Sequence, residues 1–391
     1  MIVWVQLLFW LGVGTMGFTY VVFPRLLWLL ALTRGAEASP CWPGELPLVS
    51  VIIAAYNEEV NIERRLQNLR EQDYPQDRLE IIVASDGSSD HTVARALACD
   101  GVRVLEHPGR AGRATVHNDA AARARGEILI FTDAETSFAP DFIATVVPFF
   151  GDPSFACGSG EYSFQARGQA GQTENDYWAH ERQLRRDEFR LGILPFTSGG
   201  CFAVRRELFI SIPAHADIDD YLAYALVVRG FQVFYAAAAQ ATDFAVDGSA
   251  AHYLKRVRTA LLGMQGVLGA LPPLLRRGRF GHAAVLICHR LLRWLGGAIL
   301  PMVLISNLLL AHSGAVLYGS LLTAQIAFYA AGVWGWLQDR RQAPRYLPVW
   351  GVARVAYGFI IANAAFARAL LLAIKGARVT SYTPASQIDT A

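Results

Sequence analysis

The sequence predicts an α/β domain held between membrane-spanning helices, and three observations predict it. Apolar runs alternate with amphipathic stretches through the middle of the chain, the order that builds right-handed βαβ units and a parallel sheet. Ile128-Leu129-Ile130-Phe131 places four apolar residues in succession, as in a strand buried on both faces. Finally, hydrophobic residues make up 53% of the chain and charged ones 17%, with the apolar excess concentrated at the two ends. A mean hydropathy of +0.28 is too high for a wholly soluble protein.

With 391 residues the chain has room for one large domain or two ordinary ones. A net charge of +2 carries no polyanion signal. Without a basic stripe interleaved with aromatics, no nucleic-acid partner is expected. Cys41, Cys99, Cys157, Cys201 and Cys288 are scattered with no C-x-x-C spacing, which argues against a zinc site or disulfide framework and fits a reducing compartment.

Residues 2–33 carry one charge, Arg25, in a run longer than the ~20 residues a membrane helix needs. The start Met1-Ile2-Val3-Trp4 lacks the positive region of a signal peptide. Residues 1–34 therefore read as an N-terminal membrane segment, with a crossing over 2–22 and Pro24 marking a kink or exit. Residues 26–32 read as a short second crossing or as an interfacial segment. Residues 35–47, rich in Pro, Gly and Ala, form a linker, and the soluble domain runs over 48–281.

That domain opens with a buried strand entering the polar turn Tyr56-Asn57-Glu58. Ile62, Leu66 and Leu69 give residues 62–72 the i, i+4, i+7 face of an amphipathic helix. A second strand at 79–84 closes in Ser85-Asp86-Gly87. A helix at 92–98, a third strand at 102–105 and a short helix at 118–124 follow. The central strand then ends in Asp133-Ala134-Glu135. Ligands of an open α/β sheet bind beyond the carboxyl ends of its strands, so these three acid-bearing exits line one crevice. Asp133 and Glu135 suit Mg²⁺ or Mn²⁺ carried in by a diphosphate, because such ions take one or two carboxylates plus phosphate oxygens. Neither a dinucleotide fingerprint nor a P-loop is present. What remains is a nucleotide held by a carboxylate near its base and by a metal at its diphosphate.

Ala55-Tyr56-Asn57-Glu58-Glu59, Ser85-Asp86-Gly87-Ser88-Ser89-Asp90, Gly112-Arg113 through Asn118, and Thr132-Asp133-Ala134-Glu135 resemble, in order and spacing, successive motifs of the family 2 inverting glycosyltransferases. The flanking membrane segments resemble those of the membrane-integrated polysaccharide synthase branch. The resemblance implies a Rossmann-like, nucleotide-sugar-binding (GT-A) domain and a nucleotide-diphosphate sugar donor, a UDP-sugar first among candidates. Ala55, Tyr56, Asn57, Glu58, Asp86, Arg113 and Asn118 become substrate-binding candidates, with Tyr56 and Asp86 at the nucleobase. Asp133 and Glu135 would hold the metal. Glu135 stands where the family usually has Asp, and Arg113 where it usually has Lys.

In the second half, the stretch from Pro195 to Arg206 resembles the family's acceptor-side turn, with Gly199 and Gly200 letting backbone approach a sugar. Asp217-Ile218-Asp219-Asp220 opens a helix ending at Gly230; acids there also suit the helix dipole. The resemblance implies a catalytic base at Asp219, or at Asp220 if the register slips by one. Residues 253–259 occupy the place of the Gln-x-x-Arg-Trp motif but lack its Gln and Trp. Arg256 and Arg258 could neutralise a diphosphate leaving group or face lipid headgroups.

Residues 282–294 mix His289, Arg290 and Arg293 with Leu and Trp, the pattern of an interfacial helix. Residues 295–375 hold the C-terminal crossings: 295–311 and 315–337, joined by a His312-Ser313-Gly314 turn, then 349–374, interrupted by Arg354 and Arg368. Arg340, Arg341 and Arg345 make the loop 338–345 cytoplasmic by the positive-inside rule, while the side of the tail, 376–391, stays open. The whole reads as a multi-pass inner-membrane glycosyltransferase with a cytoplasmic catalytic domain. It would act on a glycan or lipid-linked acceptor in cell-surface or exopolysaccharide synthesis. The alternative is a nucleotide-sugar-binding membrane regulator without catalysis.

Overall fold

A computed structural model describes residues 2–34, 40–165, 168–244, 249–341 and 349–377. The strands are β1 (Val49–Ala55), β2 (Leu79–Ser85), β3 (Val102–Glu106), β4 (Ile128–Asp133), β5 (Ser137–Phe138), β6 (Phe155–Gln165), β7 (Phe202–Arg205) and β8 (Gln232–Phe244). Among the described residues they form one eight-stranded sheet in the order β3-β2-β1-β4-β7-β6-β8-β5.

The β3-β2-β1-β4 half is parallel, as alternating strands and helices require. The other half, for which the sequence reading named no strands, is mixed. There β7 runs antiparallel to β4 and β6, β6 and β8 are parallel, and β5 caps the edge antiparallel to β8. The reversal follows from where β7 begins: Phe202 pairs with Phe131, so the strand starts at the carboxyl edge of β4 and runs back.

Every residue of β1 is buried, because the sheet is covered on both faces. Alternate side chains feed opposite cores, as a period of two demands. Ile52, Ala54, Leu129 and Phe131 enter one core, and Val51, Ile53, Ala55 and Ile130 the other. The helix expected at 118–124 begins earlier and spans Arg113–Arg123. Asp86 Oδ1 accepts the N–H groups of Ala111 (2.6 Å) and Gly112 (2.9 Å), and Gly112 turns the chain into the helix at φ +89°, a conformation that glycine alone adopts without strain.

Among the described residues four helical stretches are long and apolar enough to cross a membrane: Ile2–Leu32, Phe280–Ala311, Val316–Gln338 and Gly351–Ile374. The first does not exit at Pro24. A π-helical stretch, Phe18–Val22, lies just before the proline, and its wider turn accommodates the missing N–H. Residues 26–32 are thus the continuation of the first helix. Residues 282–294 likewise form no separate interfacial helix; they begin the Phe280–Ala311 stretch. Helix Val316–Arg341 continues through Arg340 and Arg341, whereas Arg345, residues 35–39 and the tail from 378 lie outside the described residues. Arg368 faces protein, its guanidinium 5.8 Å from the Tyr253 ring centroid. The N-terminal helix packs Phe9 against Val303, and Phe23 and Leu27 against Leu184 of helix Gly168–Arg190. Apolar contact therefore ties the sheet domain to the bundle.

Candidate active site

Ala54 pairs with Asp133 and Ala55 with Ser85, so the carboxyl ends of β1, β2 and β4 stand level. They open on a cavity of about 510 Å³. Glu58, Arg113, Asp133, Glu135, Asp243 and Lys255 line one end of it. Arg113 donates to Asp133 Oδ1 at 2.5 Å. Burial raises the Glu135 pKa to about 7, and Asp243, Glu58 and Asp133 add to it against Lys255. Glu58 is raised as well, by burial first and then by Asp133 and Asp243 against a hydrogen bond from Asn61. The part of both shifts that comes from neighbouring carboxylates is a repulsion that a bound cation would relieve. Asp133 and Glu135 have the hard oxygens for a divalent ion. Among the described residues no three or more His, Cys, Asp or Glu side chains are arranged to hold a metal by themselves, so the rest of its shell would come from a bound phosphate and water.

Asp86 and Tyr56 are not among the residues that line this cavity; Asp86 holds Gly112, the residue before the lining Arg113. Asp86 is fully buried; its Oδ2 has no hydrogen-bond partner, and Arg110 Nε lies 3.9 Å away. The Arg110 guanidinium covers the Tyr56 ring at 3.9 Å, so a planar ligand stacking on Tyr56 has to displace it. Three expected contacts lie elsewhere. Ala55 is a core residue, because strand alternation presents Ala54 to the cavity instead. Asn57, exposed at φ +56°, bridges strand exits by accepting from Ser89 N at 2.9 Å. Asn118 holds the backbone of Ile212 through two hydrogen bonds of 2.8 and 2.9 Å.

The opposite wall is the turn from Thr197 to Cys201. A methyl on Gly200 would lie 2.5 Å from the Tyr162 ring, whereas one on Gly199 would lie 3.3 Å from Asp219 Oδ2. Tyr162 therefore fills the space at Gly200, and the lack of a side chain at Gly199 lets the Asp219 carboxylate lie close against the turn. Tyr162 in turn donates to Asp243 Oδ2 at 2.6 Å. The turn is tied to β4 from beneath. Thr132 Oγ1 donates to Gly200 O at 2.9 Å and accepts from Arg65 Nη2 at 2.9 Å. Arg65 is buried, lies over Phe138 at 4.0 Å, and has its pKa lowered by burial to about 9, still cationic at neutral pH.

Helix Ile218–Arg229 presents both candidate bases to the cavity. Thr197 Oγ1 donates to the Asp219 carbonyl at 3.1 Å. Burial raises the Asp219 carboxyl to about 7, helped by the charges of Asp220 and Asp217 and opposed by Arg113 and Arg290. Asp220 is ion-paired with Arg290. The two neighbours thus differ: one is poised to take a proton near neutrality, the other is already engaged.

Arg256 and Arg258 line the cavity, as do Glu181, Arg185, His289, Arg290 and Arg293. His289 and Arg293, expected on the polar side of an interfacial helix, are buried in protein. His289 bridges Glu181 (3.0 Å) and Glu188 (2.6 Å), and Arg293 pairs with Glu181. Trp294 and Phe366, from two candidate membrane helices, close the far side. Three polar residues within an apolar helix were the available signal for these. Asp243, Tyr162 and Arg65 carry none, since only pairing and packing bring them here.

Residues 50–212 match the family model described as glycosyl transferase family 2. Over 153 residues the chain is 30% identical to a beta-monoglucosyldiacylglycerol synthase of Trichormus variabilis, covering 36% of this chain and 33% of that one. It is 26% identical over 252 residues to an N-acetylglucosaminyltransferase of Rhizobium leguminosarum bv. viciae, covering 59% and 58%. The chain thus spans a third to somewhat over half of these relatives. A mannosyltransferase of Pyrobaculum calidifontis, solved with GDP-Man and Mn²⁺, superposes with a TM-score of 0.67 at 23% identity over 91% of this chain and 97% of that one. At that identity the likeness is one of fold, and the fold is the GT-A type.

Proposed function

From the premise that this chain carries a glycosyl transferase family 2 domain, we propose that it is a membrane-bound inverting glycosyltransferase. It moves a sugar from a nucleotide-diphosphate sugar to a hydroxyl of a lipid-linked or glycan acceptor. The observation that carries this reading is one cavity with Asp133 and Glu135 at one end and Asp219 in its wall, the latter with a pKa of about 7. A general base works best when its pKa lies near the operating pH.

Asp219 takes the proton from the acceptor hydroxyl as that oxygen attacks the anomeric carbon. The bond from that carbon to the diphosphate breaks, and the leaving group keeps the electron pair. One displacement inverts the centre and needs no covalent glycosyl-enzyme. Arg113, Arg256 and Arg258 supply positive charge for the leaving group. Asp133 and Glu135 would hold Mg²⁺ or Mn²⁺, which neutralises diphosphate charge when bound. Asp86 would receive the nucleobase through Oδ2, which makes no hydrogen bond, with Tyr56 beneath the base once Arg110 is displaced.

Trp294 and Phe366, on helices able to cross a membrane, favour an acceptor that reaches Asp219 from the lipid side. The diacylglycerol acceptor in the name of one relative points the same way. The catalytic domain would then lie in the cytoplasm, on an inner membrane, feeding cell-surface glycan synthesis. Membranes carrying the protein, given radiolabelled nucleotide sugars, should put label into lipid extracts. Label confined to insoluble polymer would refute the lipid acceptor, and label in neither fraction would refute transfer.

A further inference from the structure

The Phe280–Ala311 stretch contains a π-helical segment, Leu286–Leu291, a feature that recurs at functional sites. Its consecutive residues His289 and Arg290 reach two different helices of the cavity. His289 bonds Glu181 and Glu188 on helix Gly168–Arg190. Arg290 Nη1 donates to Asp220 Oδ2 and to Tyr224 Oη at 3.1 Å, both on helix Ile218–Arg229. The Arg290 guanidinium also lies 4.0 Å over the Phe196 ring, immediately before Thr197, whose hydroxyl grips the Asp219 carbonyl. Asp220 and Tyr224 are one helical turn apart, so a single guanidinium fixes the rotation of the helix that carries Asp219.

We propose that Arg290 is a positioning residue that assigns the proton-accepting role to Asp219, by holding the adjacent carboxylate of Asp220 in an ion pair. This rests on the reading of Asp219 as base. A charge kept at every working pH and a planar face that stacks on Phe196 suit arginine for such a post. Without Arg290, Asp220 would stand as a partly buried, unpaired charge beside the base.

The charges acting on Asp219 come from several elements. Asp217 and Asp220 lie on its own helix end, Arg113 on helix Arg113–Arg123, and Arg290 on the membrane helix. Cys201 of the turn and Tyr224 also face it, while Arg258 and Asp133 act on Asp217. Removing Arg290 takes away one of the cations, Arg113 among them, that oppose the rise at Asp219, and leaves every carboxylate. The acid limb of the pH–rate profile must then move to higher pH. Removing the Asp220 charge while keeping Arg290 must move it to lower pH.

The test is kcat/KM against pH for Arg290→Met, Asp220→Asn, the double variant and Arg290→Lys, with nucleotide-sugar affinity measured alongside. Arg290→Met should raise the acid limb by about one pH unit or more, the scale of a lost close charge. Asp220→Asn should lower it, and the double variant should fall between the two. Arg290→Lys, which keeps the charge, should rescue most of the shift, and donor affinity should hold throughout. An unmoved limb in Arg290→Met, or a double variant displaced as far as Arg290→Met, overturns the proposal. If Arg290→Met does not accumulate, an unmoved limb in Asp220→Asn overturns it equally. Asp219→Asn keeps the two readings apart. Activity retained in that variant sinks the base assignment, whereas an inactive Asp219→Asn with an unmoved Arg290→Met limb sinks only the positioning role.

Discussion

Replacing Asp219 with asparagine should push activity and stability in opposite directions. A general base contributes about 10²–10⁴-fold to turnover, so Asp219→Asn should lose at least two orders of magnitude in kcat. Donor affinity should stay unchanged, because on the proposed reading Asp86 and Asp133 would hold that substrate. For stability the sign follows from the raised pKa. The folded-state value of about 7 lies above the ~3.9 of an unfolded aspartate. Its stabilising contribution is therefore complete below about pH 4 and is lost as pH rises through about 7. Three units at 1.36 kcal/mol each set a ceiling of about 4 kcal/mol; with the Asp217 carboxyl raised alongside it, about 1–4 kcal/mol is the range. At pH 8 the neutral asparagine escapes that penalty, and the advantage over wild type should shrink towards pH 5. The assays are radiolabel transfer in detergent, donor binding, and thermal melts at both pH values. Asp219 is not the base if the variant keeps more than about a tenth of wild-type turnover, a loss of only ~1.4 kcal/mol. The raised pKa is refuted if the variant melts below wild type at pH 8.

Asp133→Asn should abolish transfer and weaken donor binding while the far-UV spectrum is preserved, because the residue ends β4 at the rim of the cavity; turnover above about a tenth of wild type rules out the metal assignment. Gly200→Ala should cost about 1–3 kcal/mol in urea unfolding, since its methyl would lie 2.5 Å from the Tyr162 ring, and should lower turnover through the Tyr162–Asp243 contact; a silent substitution contradicts that packing. Protease outside sealed cells should spare the segment 48–281, and inverted vesicles should lose it; the reverse pattern places the catalytic domain on the other side.

The residues alone determined the parallel half of the sheet, because β1, β2 and β4 are apolar runs that only a doubly covered sheet can bury. They also determined that three acid-bearing exits meet, since parallel strands put all their carboxyl ends on one edge. Helices long enough for lipid were legible from length and charge. Strand alternation within the known run decided that Ala54, not Ala55, faces the cavity, and the covalent chain could not show which register holds. Tertiary structure alone separated Asp219 from Asp220: the two are chemically identical neighbours, and the difference is Arg290, 70 positions away from Asp220 along the chain. It likewise buried His289 and Arg293 in protein, because Glu181, a partner 108 positions from His289, supplies the compensating charge. Local pattern records propensity and period. An ion pair between distant helices depends on how they pack, and that information is spread over the whole chain.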